Sequence, residues 1–369
     1  MDGMARSITR RRRLAWLAPI VVAGVIAVGA AVETSGASAA PRLAPRSTAQ
    51  LLTAVAKTST TALTGTITET ADLGLPSLPG DNRSASLAWQ TFITGTHSVR
   101  VWVDGPTKQR MAVIGELSEA DLVHNGRDLW TYTSDSNTAS HAVLPARSRS
   151  HDVSGDHGAM ITPAAAVANI LKRISPTTSV TLGSNVTVAH RSAYTLVIAP
   201  KDTRSTIRKI TIAIDSARYV PLQVAVYGAS SSPALEIGFA DISFARPSAG
   251  VFNFKIPAGA TVTKHPFEGG DGVPMHTVRP VPGMSGPSIG AARPREIGAG
   301  WTSVLELHNA DALGPAGAMV RQLTTPVGTT GMRVLHTALV NVVVTGDGRA
   351  FVGAVRPAAL EHIAAKTSG

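Results

Sequence analysis

Not one of the 369 residues is a cysteine. That excludes disulfides, thiolate metal sites, a cysteine nucleophile and lipidation of an N-terminal cysteine, and it leaves the chain tolerant of an oxidising compartment. Aromatic residues are scarce, at 4%, fewer large rings than a cavity that grips acyl tails usually carries. Also missing are a G-x-S-x-G elbow, an H-E-x-x-H pair, a Walker loop and a dinucleotide fingerprint. No catalytic constellation assembles from what remains, so the chain reads as noncatalytic and without a cofactor. Lys and Arg do not cluster among aromatics, so nucleic-acid binding is not expected despite a net charge of +10. A net +3 of that charge falls within residues 1–39, and the rest suits a surface near anionic lipid or wall polymer, or solubility alone.

The densest set of candidate metal ligands is His151-Asp152 with Asp156-His157. It lies in a Gly/Ser-rich stretch with no rigid element to orient the imidazoles, so it reads as a solvated loop and no metal is expected. Scattered histidines beside turns read as surface, and Asp104 and Asp128 as turn residues.

The chain begins with the basic segment Met1–Arg13, followed by an uncharged apolar run of 19 residues, Leu14–Val32, and the small-residue pattern Ala37-Ser38-Ala39. This is either a signal peptide or a retained membrane anchor, and basic charge on its N-terminal side places the bulk of the chain outside the membrane in both cases. Ser47-Thr48-Ala49-Gln50 fits a helix capping box, with Leu51, Leu52, Val55 and Ala62 giving the following helix an apolar face, and from Leu63 the period switches to two through Thr70. Thr162-Pro163 opens a second helix, with Val167, Ile170, Leu171 and Ile174 at helical spacing.

Strands account for much of the rest. In Ser98–Tyr132, Val99, Val101 and Val103 alternate with Arg100, Trp102 and Asp104, Asp104-Gly105 marks a turn, and Asn125-Gly126 is a strong hairpin signal before Leu129–Tyr132. Leu87–Thr94 reads as a further strand. A second set is expected at Val186–Val188, Tyr194–Ala199, Ile207–Ile214, Leu222–Tyr227, Leu235–Phe244 and Val251–Ile256. The loop Leu73–Gly80 carries Leu73, Leu75 and Leu78, which reads as a lid over a cavity, a membrane-touching edge, or a loop packed on its own domain.

Trp102 with Pro106, then Arg110, and the hairpin Asn125-Gly126-x-x-Leu129-Trp130-x-Tyr132 resemble the LolA superfamily, which includes the N-terminal domain of MucB/RseB-type regulators. So does the later run of Ile210, Ile212 and Ile214, a turn with Arg218-Tyr219, and Pro221-Leu222 opening the next strand, and the likeness extends to actinobacterial secreted LolA-family proteins. The resemblance spans roughly Ser47 to Val262 and implies an α+β fold. Its main part would be a half-open antiparallel β-barrel, a curved sheet of about ten strands with helices over its concave side.

The implied division is a signal peptide or anchor at 1–39, a half-barrel domain at 40–265, a Gly/Pro-rich linker at 266–298 and a small α+β module at 299–369. The implied function is an exported carrier holding a lipid, acyl chain or lipoprotein in an apolar groove, close to a membrane. Groove candidates are Leu63, Ile67, Leu87, Trp89, Phe92, Val101, Val103, Met111, Val113, Trp130, Leu196, Ile198, Ile212, Val224 and Val226. Lid candidates are Leu73, Leu75, Leu78, Val167, Ile170, Leu171 and Ile174, with Arg110 and Arg127 as residues bridging sheet to lid. The alternative is an extracytoplasmic sensor or interaction module that binds an envelope protein, with the C-terminal module contributing the interface.

Overall fold

The computed structural model of the chain describes residues 40–58, 62–75, 94–115, 118–144, 162–164, 167, 176–265, 295–308 and 320–367. The apolar run at 14–32, the His151 cluster and most of the strand expected at Leu87–Thr94 lie outside these residues. Among the described residues no helix is long and apolar enough to cross a membrane.

Ser47 caps α1 (Thr48–Lys57) as its sequence requires. Gln50 N donates to Ser47 Oγ at 3.2 Å, and Ser47 N donates to Gln50 Oε1 at 2.8 Å, which satisfies two of the free amides at the helix start. After β1 (Ala62–Ala71) the chain runs as a meander: β2 (Gly95–Asp104), β3 (Lys108–Ile114), β4 (Glu119–Asn125), β5 (Asp128–Thr133) and β6 (Thr138–Val143). Gly105 and Gly126 turn β2 into β3 and β4 into β5 at φ 77° and 67°, conformations that glycine adopts without steric penalty.

The second run comprises β7 (Thr178–Leu182), β8 (Val186–Val188), β9 (Arg191–Pro200), β10 (Lys209–Asp215), β11 (Pro221–Tyr227) and β12 (Leu235–Ser243). β1 joins the two runs, pairing β2 on one side and β12 on the other. With β13 (Thr261–His265) these make one curved, unclosed sheet of 13 strands, ordered β13-β6-β5-β4-β3-β2-β1-β12-β11-β10-β9-β7 with β8 paired to β9.

The expected count of about ten strands is therefore too low, and the α+β description gives way to a mostly β fold. The strands that escaped notice, β6 (TASHAV), β7 (TSVTL) and β13 (TVTKH), are short and largely polar. They lie at or next to the two sheet ends, where ladder partners rather than their own hydrophobic alternation make them strands.

The strand expected at Val251–Ile256 is also corrected. Ala249–Phe252 is a short 3-10 helix and the residues after it join no ladder. The chain leaves β12 in the middle of the sheet and rejoins it at the β6 edge, so this segment crosses strands instead of running beside one. Its alternating rings pack downward, with Phe252 fully buried.

A second sheet of six strands has the order β14-β15-β19-β18-β17-β16. Its strands are β14 (Arg295–Ile297), β15 (Val304–Leu307), β16 (Thr325–Val327), β17 (Met332–Leu335), β18 (Asn341–Val344) and β19 (Ala350–Gly353), and α2 (Pro357–Thr367) packs on it through Leu360 and Ala364. β14 falls inside the stretch expected to be linker, and its partner is β15. The second sheet is tied to the first by backbone. Thr206 N donates to Ala354 O and Ala338 N to Leu73 O, both at 2.9 Å, and Trp301 Nε1 donates to Thr178 Oγ1 at 2.8 Å.

Candidate functional site

Side chains alternate across a pleated sheet, so register decides which residues share a face. One rung runs across seven strands: His97 on β2, Glu69 on β1, Ile237 on β12, Val224 on β11, Ile212 on β10, Leu196 on β9 and Leu182 on β7. The face bearing this rung is called face A. The neighbouring rung on the β1 side sets Val113, Val99, Ile67 and Phe239 in line.

Of the groove candidates, Leu63, Ile67, Val101, Val103, Met111 and Val113 stand on face A of the first run, and Leu196, Ile198, Ile212, Val224 and Val226 on face A of the second. Leu87, Trp89 and Phe92 lie outside the described residues. Trp130 does not join the others. It pairs with Val123 and His141 on face B, where its ring stacks on His141 at 4.1 Å and on Phe254 at 5.0 Å. Trp130→Ala is expected to lower stability by about 1–3 kcal/mol and to leave uptake of an apolar ligand unchanged, as checked by chemical denaturation and fluorescent-probe titration on the same preparation.

Face A carries two apolar clusters. The first comprises Ile67, Val99, Val101, Met111, Val113, Leu122 and Phe239 of face A and extends to Ala193 and Ala213 on face B of β9 and β10. The second, on β9 to β11, includes Tyr194, Leu196, Ile198, Ile210, Ile212 and Val224 and is capped by two helical residues, Leu51 of α1 and Val167. Val167, one of the lid candidates, packs into this cluster. Ile170, Leu171, Ile174 and Leu78 lie outside the described residues.

The other lid candidates have different partners. Leu75 packs against the second sheet's core beside Leu335 and Val342. Arg110 sits on face B, its guanidinium held by Asp121 at 2.7 and 3.1 Å and reaching Val251 O at 3.5 Å, so it pins the crossing segment. Arg127 Nε donates to Leu144 O at the hairpin tip.

α1 is held lightly. Leu51 is its one wholly buried residue, with Leu52 and Val55 partly buried, and a cavity of about 430 Å³ lies beside it, lined by Arg46, Gln50, Ala54 and Tyr219 among others.

The residue that strand reading passed over is Glu69. It is 1% exposed and, among the described residues, neither carboxylate oxygen has a hydrogen-bond partner. Burial pushes its pKa up from the ordinary 4.5 to about 8, because desolvation penalises the charged form. The signal was present in the sequence: Leu63, Ile67 and Glu69 are in phase on one strand, so an acid stands where the pattern calls for an apolar residue. Among the described residues no group of His, Asp and Glu is placed to hold a metal ion.

No family model matches the chain, and no curated protein matches it. Solved structures do align with it. The MucA/MucB complex of Pseudomonas aeruginosa aligns at 13% identity over 86% of this chain and 96% of that one, with a TM-score of 0.42. MucB alone aligns similarly, at 14% identity over 85% of this chain and 94% of that one, TM-score 0.38. A LolA superfamily protein of Nitrosomonas europaea aligns at 10% identity over 57% of this chain and 99% of that one, TM-score 0.21. An uncharacterized conserved protein of Thermus thermophilus aligns at 13% identity over 59% and 98%, TM-score 0.33. At these identities the likeness is one of fold alone.

Proposed function

We propose that this chain is an exported, noncatalytic binding protein that holds a lipid, acyl chain or lipoprotein along face A, with α1 and the helical turn bearing Val167 as its movable cover. The observation that supports this reading is a broad apolar face, buried along both of its clusters and covered over one of them by a helix with a single wholly buried side chain. Leu51 with the partly buried Leu43, Leu52 and Val55 holds α1 by roughly 4–7 kcal/mol, and the entropy of ordering a ten-residue helix offsets part of that. An acyl chain of about 14 carbons laid on the same face gains roughly 11 kcal/mol at about 0.8 kcal/mol per CH2. Association and ordering cost the ligand several kcal/mol of that gain, so helix and ligand compete for the face on comparable terms.

Protein purified from its own envelope is expected to retain lipid in native mass spectrometry. After delipidation it is expected to take up a fluorescent acyl probe with a neutral head, and Leu51→Ala, which loosens the cover, is expected to speed that uptake several-fold. A delipidated chain that takes up no probe ends the carrier reading.

The second reading, an extracytoplasmic interaction module that binds an envelope protein, is favoured by the second sheet. Holding an acyl chain needs only the first sheet, whereas the second adds an ordered surface tied on by backbone hydrogen bonds and by Leu75. On this reading, crosslinking in the envelope is expected to capture a protein on residues 295–367 of a chain whose face A carries no lipid.

A further inference from the structure

Glu69 is placed where a solvated acid would not be. It occupies a rung of face A between His97 and Ile237, with Ile67, Ala71, Val99 and Phe239 around it. It lies at the seam between the two apolar clusters, since Ile67, Val99 and Phe239 belong to one and Val224 and Ile212, on its own rung, to the other. Gly65, four residues before it, keeps this part of the face low: a Cβ there would come within 2.9 Å of the Phe239 ring.

The sheet supplies no cation to this carboxyl. Every Lys and Arg within β1 to β4 and β9 to β12, namely Arg100, Lys108, Arg110, Arg191 and Lys209, stands on face B by register. The titratable neighbour on the rung is His97, whose Nε2 donates to Thr94 O at 2.8 Å. The flanking positions on β12 are Leu235, Ile237 and Phe239. A buried acid with both oxygens unsatisfied weakens the empty fold by the desolvation of the group, and a donor brought in from outside relieves that penalty.

We propose that Glu69 is the polar anchor of face A, receiving the ammonium head of an amphiphile whose alkyl chain lies over the apolar rungs to either side. This rests on the reading of face A as an acyl-binding surface and adds the chemistry of the head group. Near neutral pH burial keeps most of the carboxyl protonated. Binding the ammonium therefore displaces the Glu69 proton to solvent and leaves a charge-assisted hydrogen bond in a dry site. Affinity for an amine should rise with pH towards about 8, while that for an uncharged head stays level.

The test is calorimetric titration of the delipidated full chain with n-decylamine and with n-decanol, near pH 6 and near pH 8.5. At the higher pH the wild type is expected to prefer the amine by roughly tenfold or more, with the preference falling towards unity at the lower pH. In Glu69→Gln the ratio should lie near one at both. Glu69→Leu, which removes an unpaired polar group and so is not expected to lose the fold, should behave the same way. A ratio near one in the wild type, or a preference that survives in both variants, overturns the anchor while leaving face A as an apolar site. If the chain binds the neutral acyl probe and neither decyl compound, the anchor also falls. If it binds none of the three, the carrier reading fails and the anchor falls with it.

Discussion

Raising the pH from about 5 to about 8 is expected to weaken the fold by roughly 3–5 kcal/mol through one residue, Glu69, and Glu69→Gln to abolish that loss. The sign follows from proton binding. The carboxyl is pushed up to about 8 in the folded chain, against an ordinary 4.5. Between those two values the native state holds a proton that the unfolded state has released, so stability falls as pH rises through the window and levels off above it. The usual paired carboxylate behaves in the opposite way. Gln keeps the shape and places an amide in the same dry position, which carries its own penalty of about 1–3 kcal/mol, but that penalty does not vary with pH. Urea denaturation of both proteins across the window isolates the effect as a difference, so other titrating groups cancel. Two parallel stability curves would mean that Glu69 is solvated or partnered in solution.

Asp215→Ala is expected to lose roughly 2–4 kcal/mol, more than a surface ion pair could. Asp215 is 1% exposed and accepts four hydrogen bonds: from Arg191 Nε and Nη2 at 2.5 and 3.2 Å, and from the backbone N–H groups of Ala217 and Arg218 at 3.1 and 2.6 Å. One carboxylate thus fixes the tight turn between β10 and β11, holds Tyr219 in a left-handed conformation at φ 56°, and aims Arg191 at the Phe244 ring, which Arg218 also faces. Removing it leaves two turn amides and a half-buried guanidinium without an acceptor. Asp202, also paired with an arginine two residues away, makes the contrast. Arg204 is largely exposed, water replaces the pair, and Asp202→Ala should leave the denaturation midpoint in place. If both variants behave alike, the Asp215 cluster does not hold the turn.

Both predictions concern residues whose positions were partly readable in advance. The alternation around Val99 and Ile212, the glycine turns and the capping box at Ser47 were legible because each depends on neighbours within a few residues. Trp130 was read into the groove and stands on the opposite face, because Asn125-Gly126 fixes the hairpin but not which side of it meets the crossing segment Ala249–Phe254. That segment looked like a strand for the same reason: Phe252 and Phe254, two residues apart, pack their rings equally well when the chain runs across a sheet, while Ile256 is left half exposed. Leu75 was read as a lid residue, and only the docking of the second sheet gave it a partner. Glu69 was visible as an acid in an apolar phase, yet its burial follows from strands up to 170 residues away.

By itself the sequence determined the local chemistry: a cysteine-free chain of short antiparallel strands with glycine turns, and a capped amphipathic helix after Ser47. Period and turn geometry act over a few residues, so they survive without the rest of the fold. Only the tertiary structure decided which face of each strand is covered, that β1 joins two distant runs into one open sheet, and that no cation of these strands reaches Glu69. Those outcomes depend on register between segments far apart in the chain, and a shift of one residue would have turned every side chain to the other face.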